Sequence, residues 1–221
     1  MLEHASKKFS EKELAKISAV VKAAAILFDR QGYLETSLKD ISTAANLSKG
    51  GIYHYFTGKH EILYYILDNY VDLLLRNLED ELRVIPDGPS KLRHLLFRHL
   101  KHYNGQVPEA RALLNHAHSL PIEYFKVVAG KQKKYAGILT DLLSGLFNGT
   151  ADKARLEIAS YIMFGMCNSI MYSNRAVSLE ELSQTCYDIF MGGIMAADLS
   201  APARPTELAC PDSASVRDRR R

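Results

Sequence analysis

Residues 37–56 read SLKDISTAANLSKGGIYHYF, and this stretch sets the architecture of the chain. Ser37 with Asp40 three positions on is a capping-box-like start, so a short helix runs from Leu38 to Ala45. Asn46-Leu47 makes a tight turn, and Ser48 caps a second short helix that ends near Tyr55. Two short helices across a tight turn are a helix-turn-helix. Ile41 and Ala44 are expected to face the core, while Leu47 and Ile52 anchor the turn and the second helix. Lys49, Gly50, Gly51, Tyr53, His54 and Tyr55 then point outward. Outward aromatics and a lysine beside two glycines make a poor core and a good DNA-facing surface. Glycine allows close backbone approach, and Tyr and Lys reach phosphates or base edges. The helix start capped by Ser48 favours an anion such as phosphate. Read singly, the three aromatics are equally consistent with packing on the next helix.

Helical periodicity continues on both sides of this block. Upstream, Leu14, Ile17, Val21, Ala24, Ala25 and Phe28 share a face until Gly32 stops the run. Downstream, a long helix from Lys59 to about Arg83 carries Ile62, Leu63, Ile66, Leu67, Tyr70, Leu74 and Leu78 inward. Pro86-Asp87-Gly88-Pro89 breaks it. Five further helices are expected over Ser90–Tyr103, Pro108–Ser119, Ile122–Phe147, Ala151–Ser173 and Leu179–Asp198. No alternating β-branched run competes, so the fold class is all-α with about nine helices. The expected organisation is a helix-turn-helix domain over 14–74, a larger helical domain over 75–198, and a disordered tail over 199–221.

The 221 residues carry 28 Lys+Arg against 25 Asp+Glu, a net charge of +3. The balance is +3 over residues 1–60, −2 over 61–200 and +2 over the tail from 201, so the folded part's basic surplus lies with the helix-turn-helix. The three cysteines are far apart, without a C-x-x-C pair, which argues against a disulfide framework or a zinc site. Neither a signal-peptide pattern nor an 18-residue apolar run occurs, so a cytoplasmic protein without a membrane partner is expected.

Two late helices lack a polar face. Residues 158–174, IASYIMFGMCNSIMYSN, contain no charge, and residues 189–197 read IFMGGIMAA. A helix apolar all round must be covered all round. Either these are central helices of a monomer core, or they form a homodimer interface through Ala151–Ser173 and Leu179–Asp198; the latter is the favoured reading.

The chain resembles the TetR family of transcriptional regulators. The resemblance rests on F-x-x-x-G-Y at Phe28–Tyr33, Thr36-Ser37, I-x-x-A-A-x-x-S-K-G-G-I-Y-H-Y-F at Ile41–Phe56, then Lys59 and Ile62-Leu63. It implies a dimeric repressor on palindromic double-stranded DNA, released by a small-molecule effector, with no catalytic residues, metal or cofactor. It places Lys49, Gly50, Gly51, Tyr53, His54 and Tyr55 on the recognition helix, and Ser37 and Lys39 against the DNA backbone. Tyr53 and Lys59 match phosphate-contacting positions, and Lys49 and His54 are the expected base readers.

Helices from Lys91 to Tyr172 are then expected to enclose the effector, with Tyr103, Phe125, Met163, Phe164, Asn168, Met171 and Tyr172 as candidate lining. A buried Asn168 amide needs a partner, either a ligand or the same helix of a second subunit. Phe164–Ile194 resembles the C-terminal stretch of members that respond to acyl-coenzyme A, which makes such a thioester one candidate effector, another hydrophobic or aromatic compound being the alternative. Arg98, Lys101, Lys126, Lys131, Lys133 and Lys134 are the cations available to its phosphates.

His94, His99, His102, His116 and His118 read as half-exposed histidines rather than metal ligands. No glutamate has His three residues on, and the sequence motifs of hydrolases, P-loop enzymes and dinucleotide binders are missing. The competing reading is a helical adaptor or small-molecule binder without sequence-specific DNA binding, which lacks salt-sensitive DNA affinity.

Overall fold

The computed structural model describes residues 9–103, 107–172, 177–197 and 199, with the side chain of Tyr172 outside the description. Among the described residues the structure is helical, without strands. The helices are α1 (Glu11–Gln31), α2 (Leu38–Ala44), α3 (Lys49–Tyr53), α4 (Lys59–Leu75), α5 (Leu78–Arg83), α6 (Gly88–Lys101), α7 (Val107–His116), α8 (Ile122–Leu146), α9 (Lys153–Ser169) and α10 (Leu179–Ala196). The tail expected to be disordered lies outside the described residues apart from Leu199, whose carbonyl accepts from the Asp152 amide at 2.8 Å.

Local chemistry explains these boundaries. Ser10 and Ser37 form capping boxes with Glu13 and Asp40, and Ser48, Asp87, Asp152 and Ser178 cap α3, α6, α9 and α10 through their side chains. Gly32 ends α1 at φ 92°, a backbone region that L side chains rarely adopt. The single long helix expected from Lys59 to Arg83 is divided, because Asn77 takes a left-handed conformation at φ 59° between α4 and α5.

α1 packs on α2, α4 and α7; α4 also packs on α7 and α8; α6 packs on α8 and α10; α8 packs on α9. Phe28, Ile41, Ile52, Phe56, Ile62 and Leu63 are buried under the N-terminal helices, and Leu92, Leu95, Leu96, Leu139 and Leu143 under the later ones. Two inward assignments change: Leu14 is 49% exposed and Ala44 is exposed, while Val20 is buried on α1. On α2 the apolar contact is carried by the buried Ile41 with the half-buried Leu38, and Ala44 does not share it.

Candidate DNA interface and effector cavity

α2 and α3 meet across the turn that Asn46 makes at φ 52°, with the Leu47 amide bonded to the Ser42 carbonyl at 2.9 Å. The Ser48 hydroxyl accepts from the Gly51 amide at 3.0 Å and fixes the start of α3. Ile52 is fully buried and pins the helix to the module, which turns the opposite face to solvent. Ser37, Lys39, Ser48, Lys49, Gly50, Tyr53 and His54 are exposed and Gly51 is half-buried. Lys49 Nζ stands 5.9 Å from the centre of the Tyr53 ring, so the cation and aromatic form one polar ridge. His54 Nε2 lies 3.9 Å from Glu13 Oε1 of α1. A β-carbon at Gly50 meets nothing within 4 Å. No packing inside the chain requires glycine there.

Two residues expected at this surface sit elsewhere. Tyr55 is 5% exposed, edge-on to His54 at 4.8 Å and to Phe9 at 6.2 Å between ring centres, so it is core. Lys59 commits its ammonium to the turn after α1, donating to the carbonyls of Tyr33 (2.5 Å), Leu34 (3.1 Å) and Thr36 (2.8 Å). Its Nζ also lies over the Tyr33 ring at 4.4 Å. Burial lowers the Lys59 pKa, and the first charge to oppose that is Glu35. Lys59 is thus a staple between α4 and the α1–α2 connection.

The second feature is a cavity of about 260 Å³ between α4, α6, α7, α8 and α9. Of the expected lining, Tyr103, Phe164, Asn168 and Met171 are in its wall. Met163 is fully buried without reaching it, and Phe125 is 37% exposed on α8, outside the wall. Tyr172 falls outside the described side chains. Tyr70, His99, Gln132 and Tyr135 line the wall without having been expected there. His99, read from sequence as half-exposed, is 5% exposed and its pKa is pushed down to about 4 by burial. Its signal was in the sequence: Leu92, Leu95, Leu96, His99 and Tyr103 fall on one helical face. His99 stacks on Tyr135 at 5.8 Å and meets Phe164 tilted at 4.9 Å between ring centres. No Asp, Glu, Lys or Arg lines this cavity.

A third surface lies along α9 and α10. Ile158, Tyr161, Ile162, Ile189 and Met195 are each more than half exposed, beside an open groove lined by Ala159, Met166, Phe190 and Ile194. Among the described residues, no helix is long and apolar enough to cross a membrane.

Comparison with known proteins joins these features. Residues 20–66 match the family model "Bacterial regulatory proteins, tetR family", and residues 87–194 match "Tetracyclin repressor-like, C-terminal domain". The HTH-type transcriptional regulator HbdR of Aromatoleum sp. (strain CIB) is 31% identical over 78 residues, 35% of this chain and 34% of HbdR, so the match spans about a third of that relative's length. The structure of a TetR-family transcriptional regulator from Bordetella parapertussis 12822 superposes with a TM-score of 0.77 at 25% identity, covering 86% of this chain and 99% of that one. AibR, solved in complex with isovaleryl coenzyme A and operator DNA, shares the fold with a TM-score of 0.69 at 21% identity, covering 79% of this chain and 97% of AibR. With both family models matched in order along the sequence and the helix-turn-helix in place, the chain belongs to the TetR family of bacterial transcriptional regulators.

Proposed function

We propose that the protein is a homodimeric repressor that binds a palindromic operator through α2 and α3 and leaves it when a small molecule occupies the cavity. The observation that carries this reading is the exposed ridge Lys49–His54 around a glycine that the fold itself does not need. Lys49 and His54 read bases, while Ser37, Lys39, Ser48, Gly50, Gly51 and Tyr53 position the helix on the backbone. Residues 14–74 act as the DNA-binding domain and 75–198 as the effector and dimerisation domain. The apolar face of α9 and α10 meets its copy across a two-fold axis, which sets the spacing of the two recognition helices.

An acyl-coenzyme A remains the effector class that the sequence favours, and the isovaleryl coenzyme A bound by AibR supports it. Half of the cations offered to its phosphates are already paired: Lys131 with Asp68 (2.5 Å) and Asp72 (2.7 Å), Lys134 with Glu79 (2.8 Å) and Arg98 with Glu81 (2.9 Å). The nucleotide part therefore stays outside the uncharged cavity, near the exposed Lys101, Lys126 and Lys133. Nuclease footprinting of the DNA upstream of the protein's own coding sequence tests the regulator reading. A short protected palindrome supports it, and uniform weak protection refutes it.

A further inference from the structure

The polar atoms in the cavity wall are ordered, and their order specifies what enters. The Tyr103 hydroxyl donates to Asn168 Oδ1. With its proton used there, it accepts from His99 Nε2–H at 2.7 Å. The other ring nitrogen, His99 Nδ1, then carries no proton and accepts from the Tyr135 hydroxyl at 3.1 Å. Burial keeps this histidine neutral and raises the pKa of both tyrosines, so the chain is uncharged from end to end.

Among the described residues that arrangement leaves two donors over. One is the Asn168 amide nitrogen, whose oxygen is taken by Tyr103 and also lies 3.4 Å from His99 Nε2. The other is the hydroxyl of Tyr70, which is 4% exposed, lines the cavity and has no hydrogen-bond partner among the described residues. A buried hydroxyl without an acceptor carries an unrecovered desolvation cost, so an occupant that supplies an acceptor gains from both groups. A carbonyl oxygen does this with its two lone pairs and brings no proton of its own. A carboxylate would bury a charge where the wall holds no cation, and a hydrocarbon would leave both donors unmet. The rest of the wall is largely apolar, including Val71, Leu74, Leu113 and Met171, and the volume lies just below the usual small-molecule range.

We propose that the cavity selects a compact, uncharged molecule through one carbonyl oxygen, held by the Tyr70 hydroxyl and the Asn168 amide. This deepens the effector-site reading above and rests on it. Two sources share this chemistry: a free ketone, and the thioester carbonyl of an acyl group whose carrier stays outside.

The test is isothermal titration of the full-length protein with acetophenone, isovaleryl coenzyme A, benzoate and ethylbenzene, alongside DNA-binding anisotropy on the same preparation. At least one carbonyl probe binds about tenfold more tightly than benzoate or ethylbenzene. Acetophenone leading identifies the free-ketone source; isovaleryl coenzyme A leading identifies the thioester. Tyr70→Phe removes one oxygen and lowers affinity for the preferred carbonyl probe about tenfold, while ethylbenzene binding stays within about twofold and reports an intact cavity. Asn168→Ala lowers the carbonyl preference in the same way. Benzoate or ethylbenzene binding as tightly, no carbonyl probe binding at millimolar concentration, or Tyr70→Phe leaving the preference unchanged overturns the inference. Loss of the carbonyl preference with DNA binding intact removes this inference alone, whereas no specific DNA binding removes the regulator reading itself.

Discussion

Arg111 of α7 joins Asp29, near the end of α1, to the wall of the cavity. One guanidinium nitrogen lies 3.2 Å from Asp29 Oδ2, and the other donates to the carbonyl of Met171 in the cavity wall at 2.5 Å. His116 of the same helix bonds through Nε2 to the Phe28 carbonyl at 3.1 Å. α7 is thus tied to the C-terminal end of the helix that packs on α2. Arg111→Ala is expected to cost about 1–3 kcal/mol of stability. It should retain operator affinity while reducing effector-driven release. A double-mutant cycle with Asp29→Ala by chemical denaturation checks the link: coupled effects are expected, and strict additivity contradicts it.

Gly50 separates folding from binding. Alanine there meets no neighbour within 4 Å, so Gly50→Ala should raise stability by as much as about 1 kcal/mol through helix propensity. The added methyl stands on the exposed face and should weaken operator binding. Denaturation midpoint and DNA anisotropy are expected to move in opposite senses; unchanged DNA affinity would show that nothing approaches this backbone.

Lys59 and Lys49 should behave differently although both are lysines in the N-terminal module. With three carbonyls on its ammonium, Lys59→Met is expected to destabilise the fold by about 1–3 kcal/mol and leave the salt dependence of DNA binding unaltered. Lys49→Ala should leave stability nearly constant. It should reduce discrimination against scrambled DNA, as expected of a side chain that reads bases. A Lys59 variant with a clearly shallower salt slope would return that lysine to the DNA surface.

Acid should weaken the fold through its buried histidines. Burial lowers the pKa of His99 and of His102 from the ordinary 6.5 to about 4. Between those values the unfolded chain holds the proton and the folded chain does not, so stability falls as pH drops from about 6.5 toward 4. For the fully buried His99 the slope approaches about 1.4 kcal/mol per pH unit. His102, partly solvated, adds in the same direction. Urea denaturation at pH 7 and pH 5 should show the loss, and His99→Gln should flatten it; an identical profile in the variant would assign the loss elsewhere.

The helix-turn-helix was legible because its signals are local. Ser37 with Asp40, Asn46 at a left-handed turn and Ser48 at an N-cap are decided within a few residues, and the structure places each in that role. Gly32 and Pro86 likewise marked real breaks. What the sequence hid depends on distant partners. Nothing near Lys59 reveals that carbonyls 23 to 26 residues earlier lie within its reach. Tyr55 lies beyond the end of α3, in the turn after His54, where its ring meets Phe9, a contact that outward periodicity does not report. In the cavity, the uncharged stretch from Ile158 drew attention to Phe164 and Asn168, but Tyr70, His99 and Tyr135 come from three other helices. Their meeting is a property of packing, as is the division of the long helix at Asn77, where one residue's conformation outweighs apolar periodicity.

In the proposed function, Lys49–His54 reads DNA sequence. The most direct measurement is fluorescence anisotropy of the intact protein on DNA tiled across its own upstream region, at two salt concentrations and against a scrambled control. The expected result is tight, salt-sensitive binding to one short palindrome, with Lys49→Ala losing more affinity for that site than for scrambled DNA. Weak binding that is equal on palindrome and scrambled DNA, and indifferent to Lys49→Ala, would contradict it.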